Sequence, residues 1–313
     1  MIIMRPHISV TDTIKILADE TRVRILHLLL STELAVGEIT DALEMNQSAV
    51  SNQLGLLKKS GFSETRREGT RIYYRLPDPL LKGDEGTLIK QVFELGEKEG
   101  LFDYEKETLE KILELRKQSS LNYFEANPQN RCDPGESWEA TTEGLFELVK
   151  GKKAVDLGCG DGELAAGLAS SGNRVIGIDI SPGRIAEAEK KHGGKRLSLE
   201  FRLADMEKTG LETGSMDLAV ISQSLHHTAR PGVVLNEASR ILARGGMLLI
   251  WDLSAHSEED FTEKYGDFWL GFAPEDIRKW IKEAGLESCR VKSIKTDSRY
   301  KDIETLIVSA VKP

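Results

Sequence analysis

Ala154-Val155-Asp156-Leu157-Gly158-Cys159-Gly160-Asp161-Gly162 is the stretch on which the reading of this chain turns. The apolar run from Lys153 to Leu157 predicts a buried strand. Three glycines at alternate positions then form a turn into a helical pattern that starts near Glu163. Glycine admits positive φ and lets a ligand come close to the backbone, and the first amides of the following helix carry partial positive charge. A ligand is therefore expected at this turn. The Gly-x-Gly-x-Gly spacing departs from the Gly-x-Gly-x-x-Gly dinucleotide fingerprint, so the turn alone leaves a purely structural role open.

Downstream, Val175-Ile176-Gly177-Ile178-Asp179 predicts a second buried strand ending in an acid, 23 residues after Asp156. A carboxylate there is placed to accept hydrogen bonds from the two hydroxyls of a ribose. A helix over 183–191, a strand near 199–202 and Ala204-Asp205-Met206 follow, with Asp205 placed for an adenine amino group and Met206 for its ring. A strand over 216–222, a helix over 232–242 and a strand over 246–253 continue the alternation. The pattern implies a mostly parallel sheet with its site at the strands' carboxyl ends. Residues 290–294 and 303–311 predict two strands whose polar connection is too short for a crossover helix, so they should pair antiparallel at a sheet edge.

The amino-terminal third reads differently. Ile14, Ile16 and Leu17, then Val23, Ile25, Leu26, Leu28 and Leu29, predict two short helices separated by Ala18-Asp19-Glu20-Thr21, where Asp19 or Thr21 can cap the second. A third helix runs over 35–43, and a fourth over 47–60 after the break at Glu44-Met45-Asn46. Val50, Leu54 and Leu57 form the apolar stripe of the fourth. Gln47, Ser48, Ser51, Asn52 and Lys58 are left outward, where short amide and hydroxyl groups suit base edges and phosphates. Residues 62–67 and 71–76 then predict a hairpin around Glu68-Gly69-Thr70, with Arg66, Arg67 and Arg71 placed to grip phosphate or a minor groove.

Leu17-Ala18-Asp19-Glu20-Thr21-Arg22, Gln47-Ser48-Ala49-Val50-Ser51-Asn52-Gln53-Leu54 and Arg67-Glu68-Gly69-Thr70-Arg71-Ile72-Tyr73-Tyr74-Arg75-Leu76 resemble the ArsR-type winged-helix repressors. The resemblance covers about a quarter of the chain. It implies a homodimer that binds operator DNA through Gln47, Ser48, Ser51, Asn52, Gln53, Lys58, Arg66, Arg67 and Arg71. Ala35 and Gly37 stand where the arsenic-sensing members have a thiolate pair, and no histidine occurs between His27 and His192. A metal inducer is not expected.

Leu88, Val92 and Phe93, then Leu109, Ile112 and Leu113, predict two connector helices whose apolar stripe serves dimer contact and spacing between domains.

Asp156-Leu157-Gly158-Cys159-Gly160-Asp161-Gly162, Ile178-Asp179, Ala204-Asp205-Met206, Ser224-Leu225-His226-His227 and Leu242-Ala243-Arg244-Gly245-Gly246 together resemble class I S-adenosylmethionine-dependent methyltransferases, near the branch that includes quinone-biosynthesis enzymes. The resemblance covers about 121–313. It implies that Asp156, Gly158, Gly160 and Gly162 cradle the methionine end of S-adenosylmethionine, Asp179 the ribose, and Asp205 with Met206 the adenine. Ile180, Ser222, Gln223 and Tyr123 complete the implied cofactor set. Tyr123 and Phe124 either lid the cofactor or pack in a linker. His226 or His227 either deprotonates an acceptor or is a structural loop histidine. Phe268 to Phe272 either line an acceptor pocket or belong to the core. Cys159 reads as a small packing residue, and no resident metal is expected.

The expectation is thus a multidomain chain. An α+β winged helix-turn-helix (1–85) is followed by a helical connector (86–120) and an α/β Rossmann-like methyltransferase domain (121–313) with an antiparallel terminal strand pair. Two functions fit this organisation: a regulator fused to a working methyltransferase with a small-molecule acceptor, or a transcription factor that senses S-adenosylmethionine or S-adenosylhomocysteine without catalysis. The net charge of −9 is uneven. Residues 1–85 hold 11 Lys and Arg against 12 Asp and Glu, so nearly all the excess acid lies in the remainder, which is poorly suited to a polyanion. Three scattered cysteines argue against a disulfide framework or a zinc site, and with no predicted membrane span they suit a cytoplasmic protein.

Overall fold

The computed structural model describes residues 10–68, 71–81, 84–126, 149–256, 267–295 and 303–313. The chain divides into two compact units, Met1–Leu115 and Arg116–Pro313. Among the described residues no helix is long and apolar enough to cross a membrane.

The first unit opens with α1 (Val10–Leu17) and α2 (Glu20–Ser31). The Asp19 carboxylate accepts from the Arg22 amide at 3.0 Å and caps α2, as predicted. Next come β1 (Leu34–Ala35), α3 (Val36–Leu43) and α4 (Gln47–Lys59). Glu44 ends α3 in the left-handed region at φ 49°, and the Asn46 side chain accepts from the Ala49 amide at 2.9 Å to start α4. The hairpin is β2 (Glu64–Glu68) and β3 (Arg71–Arg75), paired antiparallel. The predicted turn residues Gly69 and Thr70 lie outside the described residues. β1 adds a third strand by pairing Leu34 with Tyr74. Its two residues are too short to leave a periodic signal.

The connector reading requires correction. α5 (Asp84–Lys98) and α6 (Asp103–Ala126) carry the predicted stripe, but Phe93, Leu109 and Leu113 are buried and Leu88, Val92 and Ile112 half-buried within the chain itself. α5 packs on α1, Phe102 stacks on His27 with ring centroids 3.8 Å apart, and Arg24 pairs with the buried Glu105. An amphipathic pattern shows that a face is buried, and it does not say against what.

The second unit is a seven-stranded sheet in the order β6-β5-β4-β7-β8-β10-β9. Its strands are β4 (Lys153–Leu157), β5 (Arg174–Asp179), β6 (Leu199–Leu203), β7 (Met216–Ser222), β8 (Leu242–Leu253), β9 (Glu287–Lys295) and β10 (Glu304–Val311). The first five are mutually parallel, and β10 inserts antiparallel between β8 and β9, as predicted for the terminal pair. Among the described residues, the sheet is accompanied by helices α7 (Glu163–Ser170), α8 (Pro182–His192), α9 (Pro231–Ile241) and α10 (Pro274–Glu283).

Alternate residues of each strand serve opposite faces. Val155, Leu157, Ala219, Ile221, Leu248 and Ile250 join a core with Val234 and Leu235 of α9 and Ile277 and Ile281 of α10. Ala154, Leu218, Val220, Leu249 and Trp251 join Leu164 and Leu168 of α7 on the other side. Helix α10 had not been predicted. Of its residues only Ile277 and Ile281 are fully buried, which leaves a narrow signal in a charged segment.

Candidate functional site

The chain leaves β4 outward through β5 and β6, then returns to the other side of β4 with β7 and β8. At this reversal the two crossovers diverge and open a crevice at the carboxyl ends of β4 and β7. The glycine turn sits there. Gly158 and Gly160 have φ of +79° and +52°, and only Gly160 has nothing within 4 Å of where a Cβ would stand. A Cβ on Gly158 would lie 2.5 Å from Ser224 Cβ and 2.9 Å from Met206 Cε. The first glycine therefore lets β7's loop close on the turn, and the second forms the open cradle. Gly162 is committed to internal packing, against Phe201.

Two acids frame the cradle. Asp179, ending β5, accepts from the Gly160 amide at 2.9 Å and from the Ser181 amide at 2.9 Å, and burial holds its pKa above the ordinary value. Asp156 is 1% exposed, and among the described residues neither of its carboxylate oxygens has a hydrogen-bond partner. Burial, then the charge of Asp179, pushes its pKa up to about 7. A buried carboxylate with no donor is costly unless something cationic or hydrogen-bonding completes it.

The remaining predicted cofactor residues divide. Met206 packs beside Gly158, and Gln223 stands at a positive φ of 51°, its amide donating to Trp251 O at 2.7 Å. Ser222 and Ile180 are half-buried at the strand ends, and Tyr123 is half-buried on α6. Asp205 is already engaged: its Oδ2 is bound by Lys117 and its Oδ1 accepts from the Glu207 amide at 2.9 Å. As at Asp179, each oxygen has one partner and a lone pair remains on each. Nothing is described of the Phe124 side chain. Cys159 is buried, and burial together with Asp156 and Asp179 raises its thiol far above the ordinary range, so it is a packing residue as predicted.

The histidine pair lies in a short 3-10 turn after β7. His226 is 1% exposed, its Nδ1 2.6 Å from Asp252 Oδ1. Burial lowers its pKa, but Asp252 and Asp267 outweigh this and raise it to about 9. Both ring nitrogens of His226 thus face carboxylates, Nδ1 that of Asp252 and Nε2 that of Asp267 at 3.5 Å. His227 is half-buried, with Nδ1 3.7 Å from Asp267 Oδ1. Asp252 and Asp267 were missed by sequence reasoning because they lie 26 and 41 residues from His226 and no motif links them. The aromatic cluster resolves toward core. Trp269 and Phe272 are buried against Trp280, while Phe268 is half-buried under the Arg116 guanidinium, 4.4 Å from its ring centroid.

On the first unit, α4 exposes Gln47, Ser48, Ser51, Asn52 and Lys58, with Gln53 half-buried. Ser48 Oγ donates to Asn46 Oδ1 at 2.7 Å, and Lys58 Nζ to Thr65 Oγ1 at 2.9 Å. Arg67 and Arg71 are exposed, but Arg66 is not comparable to them. Its Nε meets both Glu33 oxygens at 3.0 and 3.1 Å, and its guanidinium lies over Tyr73, 4.9 Å from the ring centroid. Arg66 therefore fastens the hairpin to the helical body.

Residues 155–250 match the family model described as a methyltransferase domain, and residues 19–63 that of bacterial regulatory proteins of the arsR family. The chain joins an arsR-family helix-turn-helix to a class I methyltransferase domain. The methyltransferase domain contains the glycine turn, both framing acids and the histidine pair. The chain is 34% identical over 142 residues to a Dictyostelium discoideum protein with a provisional methyltransferase name, across 42% of this chain and 50% of that one. It is 26% identical over 153 residues to the ubiquinone biosynthesis O-methyltransferase of Pseudomonas aeruginosa, across 44% of this chain and 66% of that one. The chain thus spans between half and two thirds of the length of these curated relatives. A solved structure from Galdieria sulphuraria, provisionally named a sarcosine dimethylglycine methyltransferase, superposes with a TM-score of 0.50 at 16% identity. It covers 62% of this chain and 98% of its own, a likeness of fold alone.

Proposed function

We propose that the chain is a DNA-binding regulator whose methyltransferase domain binds S-adenosylmethionine and methylates a small-molecule acceptor. The observation that carries the cofactor reading is Asp156, a fully buried carboxylate without a donor beside the open cradle at Gly160. That pair fits an ammonium-bearing ligand lying along the turn. S-adenosylmethionine bound there supplies an activated methyl group to a nucleophile. The chain's own residues then have distinct tasks. Asp156 provides counter-charge to the ligand's ammonium. Asp179 keeps lone pairs beyond the two amides it already accepts and offers them to ribose hydroxyls. Met206, beside Gly158, supplies an apolar surface for the adenine. Alignment and water exclusion carry the reaction, and a dedicated base is not required.

Isothermal calorimetry with S-adenosylmethionine and S-adenosylhomocysteine tests this reading: neither binding the parent chain would end it.

For the first unit, α4 reads DNA through Gln47, Ser48, Ser51, Asn52 and Gln53, with Lys58, Arg67 and Arg71 on phosphates. The exposed Val10 and Ile14 of α1 and Leu95 of α5 support a homodimer, which sedimentation of the full chain would detect. Binding to the region upstream of its own gene should weaken steeply with salt. Repeating that titration with each cofactor form measures the coupling between cofactor and DNA.

A further inference from the structure

We propose that His226, His227 and Asp267 form a binding site for one divalent transition-metal ion, zinc being the first candidate. Asp267 Oδ1 lies 3.5 Å from His226 Nε2 and 3.7 Å from His227 Nδ1. One donor atom from each of the three residues falls within a 4.8 Å cluster. A tetrahedral ion with bonds of about 2.0–2.1 Å holds its ligands roughly 3.3 Å apart, so the two Asp267–histidine separations need to close by only a few tenths of an ångström, while the two imidazole nitrogens, within 4.8 Å of each other, close further by rotation of the half-buried His227.

The surroundings are those of a prepared ligand set. His226 Nδ1 faces Asp252 Oδ1 at 2.6 Å, which orients the ring so that Nε2 is directed at the Asp267 carboxylate. Asp252 is itself held by the Leu225 amide at 3.0 Å and the Leu253 amide at 2.7 Å. A histidine backed by a fixed carboxylate is the usual outer arrangement of a metal-bound imidazole. The backbones are joined as well, since the Phe268 and Trp269 amides both donate to His226 O, at 3.0 and 2.9 Å. That fixes the chain next to Asp267 against the histidine turn.

Charge points the same way. Asp252 and Asp267 are 0% and 3% exposed, so two carboxylates are buried around this imidazole pair. A dication seated between the two imidazoles would offset this buried acidic charge. Two imidazole nitrogens and one carboxylate oxygen suit zinc, cobalt or nickel better than magnesium or calcium. Three protein ligands also leave a fourth position for water or for an acceptor's oxygen, nitrogen or sulfur. The metal site stands on its own geometry, and only its use on an acceptor rests on the methyltransferase reading.

The test is titration of the full chain, stripped by chelator, with Co²⁺ alone. One equivalent should give the intense visible absorption of a four-coordinate ion, which Zn²⁺ then abolishes. His227→Ala and Asp267→Asn should each lose the band, and Asp252→Asn should weaken affinity about 10- to 100-fold. Zn²⁺ should raise the melting temperature of the parent and leave that of His227→Ala unchanged. Absence of the band in the parent overturns the site. Persistence of the band in both His227→Ala and Asp267→Asn overturns it too. Cofactor calorimetry on the same samples separates this outcome from failure of the methyltransferase reading.

Discussion

The Gly160 amide donates to Asp179 Oδ2 at 2.9 Å, so the turn that follows β4 is tied to the acid that ends β5. The Ser181 amide holds the other oxygen at 2.9 Å. Asp179→Ala orphans both donors, at a cost of about 1–3 kcal/mol each if they stay buried. Cofactor affinity should fall at least about tenfold as the ribose partner disappears. Unchanged affinity in calorimetry would remove Asp179 from the site.

Asp156 links cofactor binding to pH. Its folded pKa of about 7 lies above the ordinary 3.8, so between those values the native chain keeps a proton that the unfolded chain has released. Stability should therefore fall as pH rises across that interval and level off above it. Asp156→Asn should flatten this dependence, raise the melting temperature above the interval and weaken S-adenosylmethionine binding. Thermal melts across the range check the first two effects. A slope identical to the parent's would show that Asp156 does not titrate there.

The glycines of the turn should separate by substitution. In Gly158→Ala the new Cβ meets Ser224 Cβ at 2.5 Å, costing about 1–3 kcal/mol through overpacking. A left-handed backbone adds about 1–2 kcal/mol. Gly160→Ala meets nothing, so only the backbone cost of about 1–2 kcal/mol remains, yet its methyl enters the open cradle and should reduce cofactor affinity. Denaturant melts paired with calorimetry distinguish the two. Equal destabilisation would contradict the packing contrast.

The wing arginines should likewise divide. Arg67→Ala with Arg71→Ala should weaken DNA binding and lower the salt slope by about two, with stability unchanged. Arg66→Ala leaves Glu33, 8% exposed, without its cation, so it should lower the melting temperature first. Filter-binding titrations over a salt series and thermal melts provide both readouts. Full DNA affinity in the double variant would take the wing out of the interface.

Glu237 predicts where acid opens the second unit. Arg240, together with the Thr209 hydroxyl and amide, depresses its pKa from 4.5 to about 2. Its contribution is complete above the unfolded value and is lost as pH falls through the folded one. Glu237→Gln should be less stable than the parent at neutral pH and should lose less between pH 4.5 and about 2. Circular dichroism during acid titration measures this, and parallel curves would show that the pair contributes nothing.

The parts of this molecule legible in sequence were those with a local signal. Val155, Leu157, Ile176 and Ile178 alternate with smaller or polar neighbours, Asp19 and Asn46 stand where helices begin, and the β/α alternation fixes a parallel sheet. The final strand pair was readable for the same reason, because a short connection admits only antiparallel pairing. Helix α10 and strand β1 were not legible, one being largely charged and the other two residues long.

What sequence alone determined was therefore the set of elements, their order and the turn at which a ligand belongs, since each depends on neighbours in the chain. Tertiary structure decided the rest. It buried Phe93, Leu109 and Leu113 of the connector's stripe, paired Arg66 with Glu33 and Asp205 with Lys117, and gathered Asp252 and Asp267 around His226. The reason is physical: a side chain's partner depends on which distant strand ends share one edge of the sheet. Hydrophobic periodicity records that a face is covered, and it carries no information about which residue covers it.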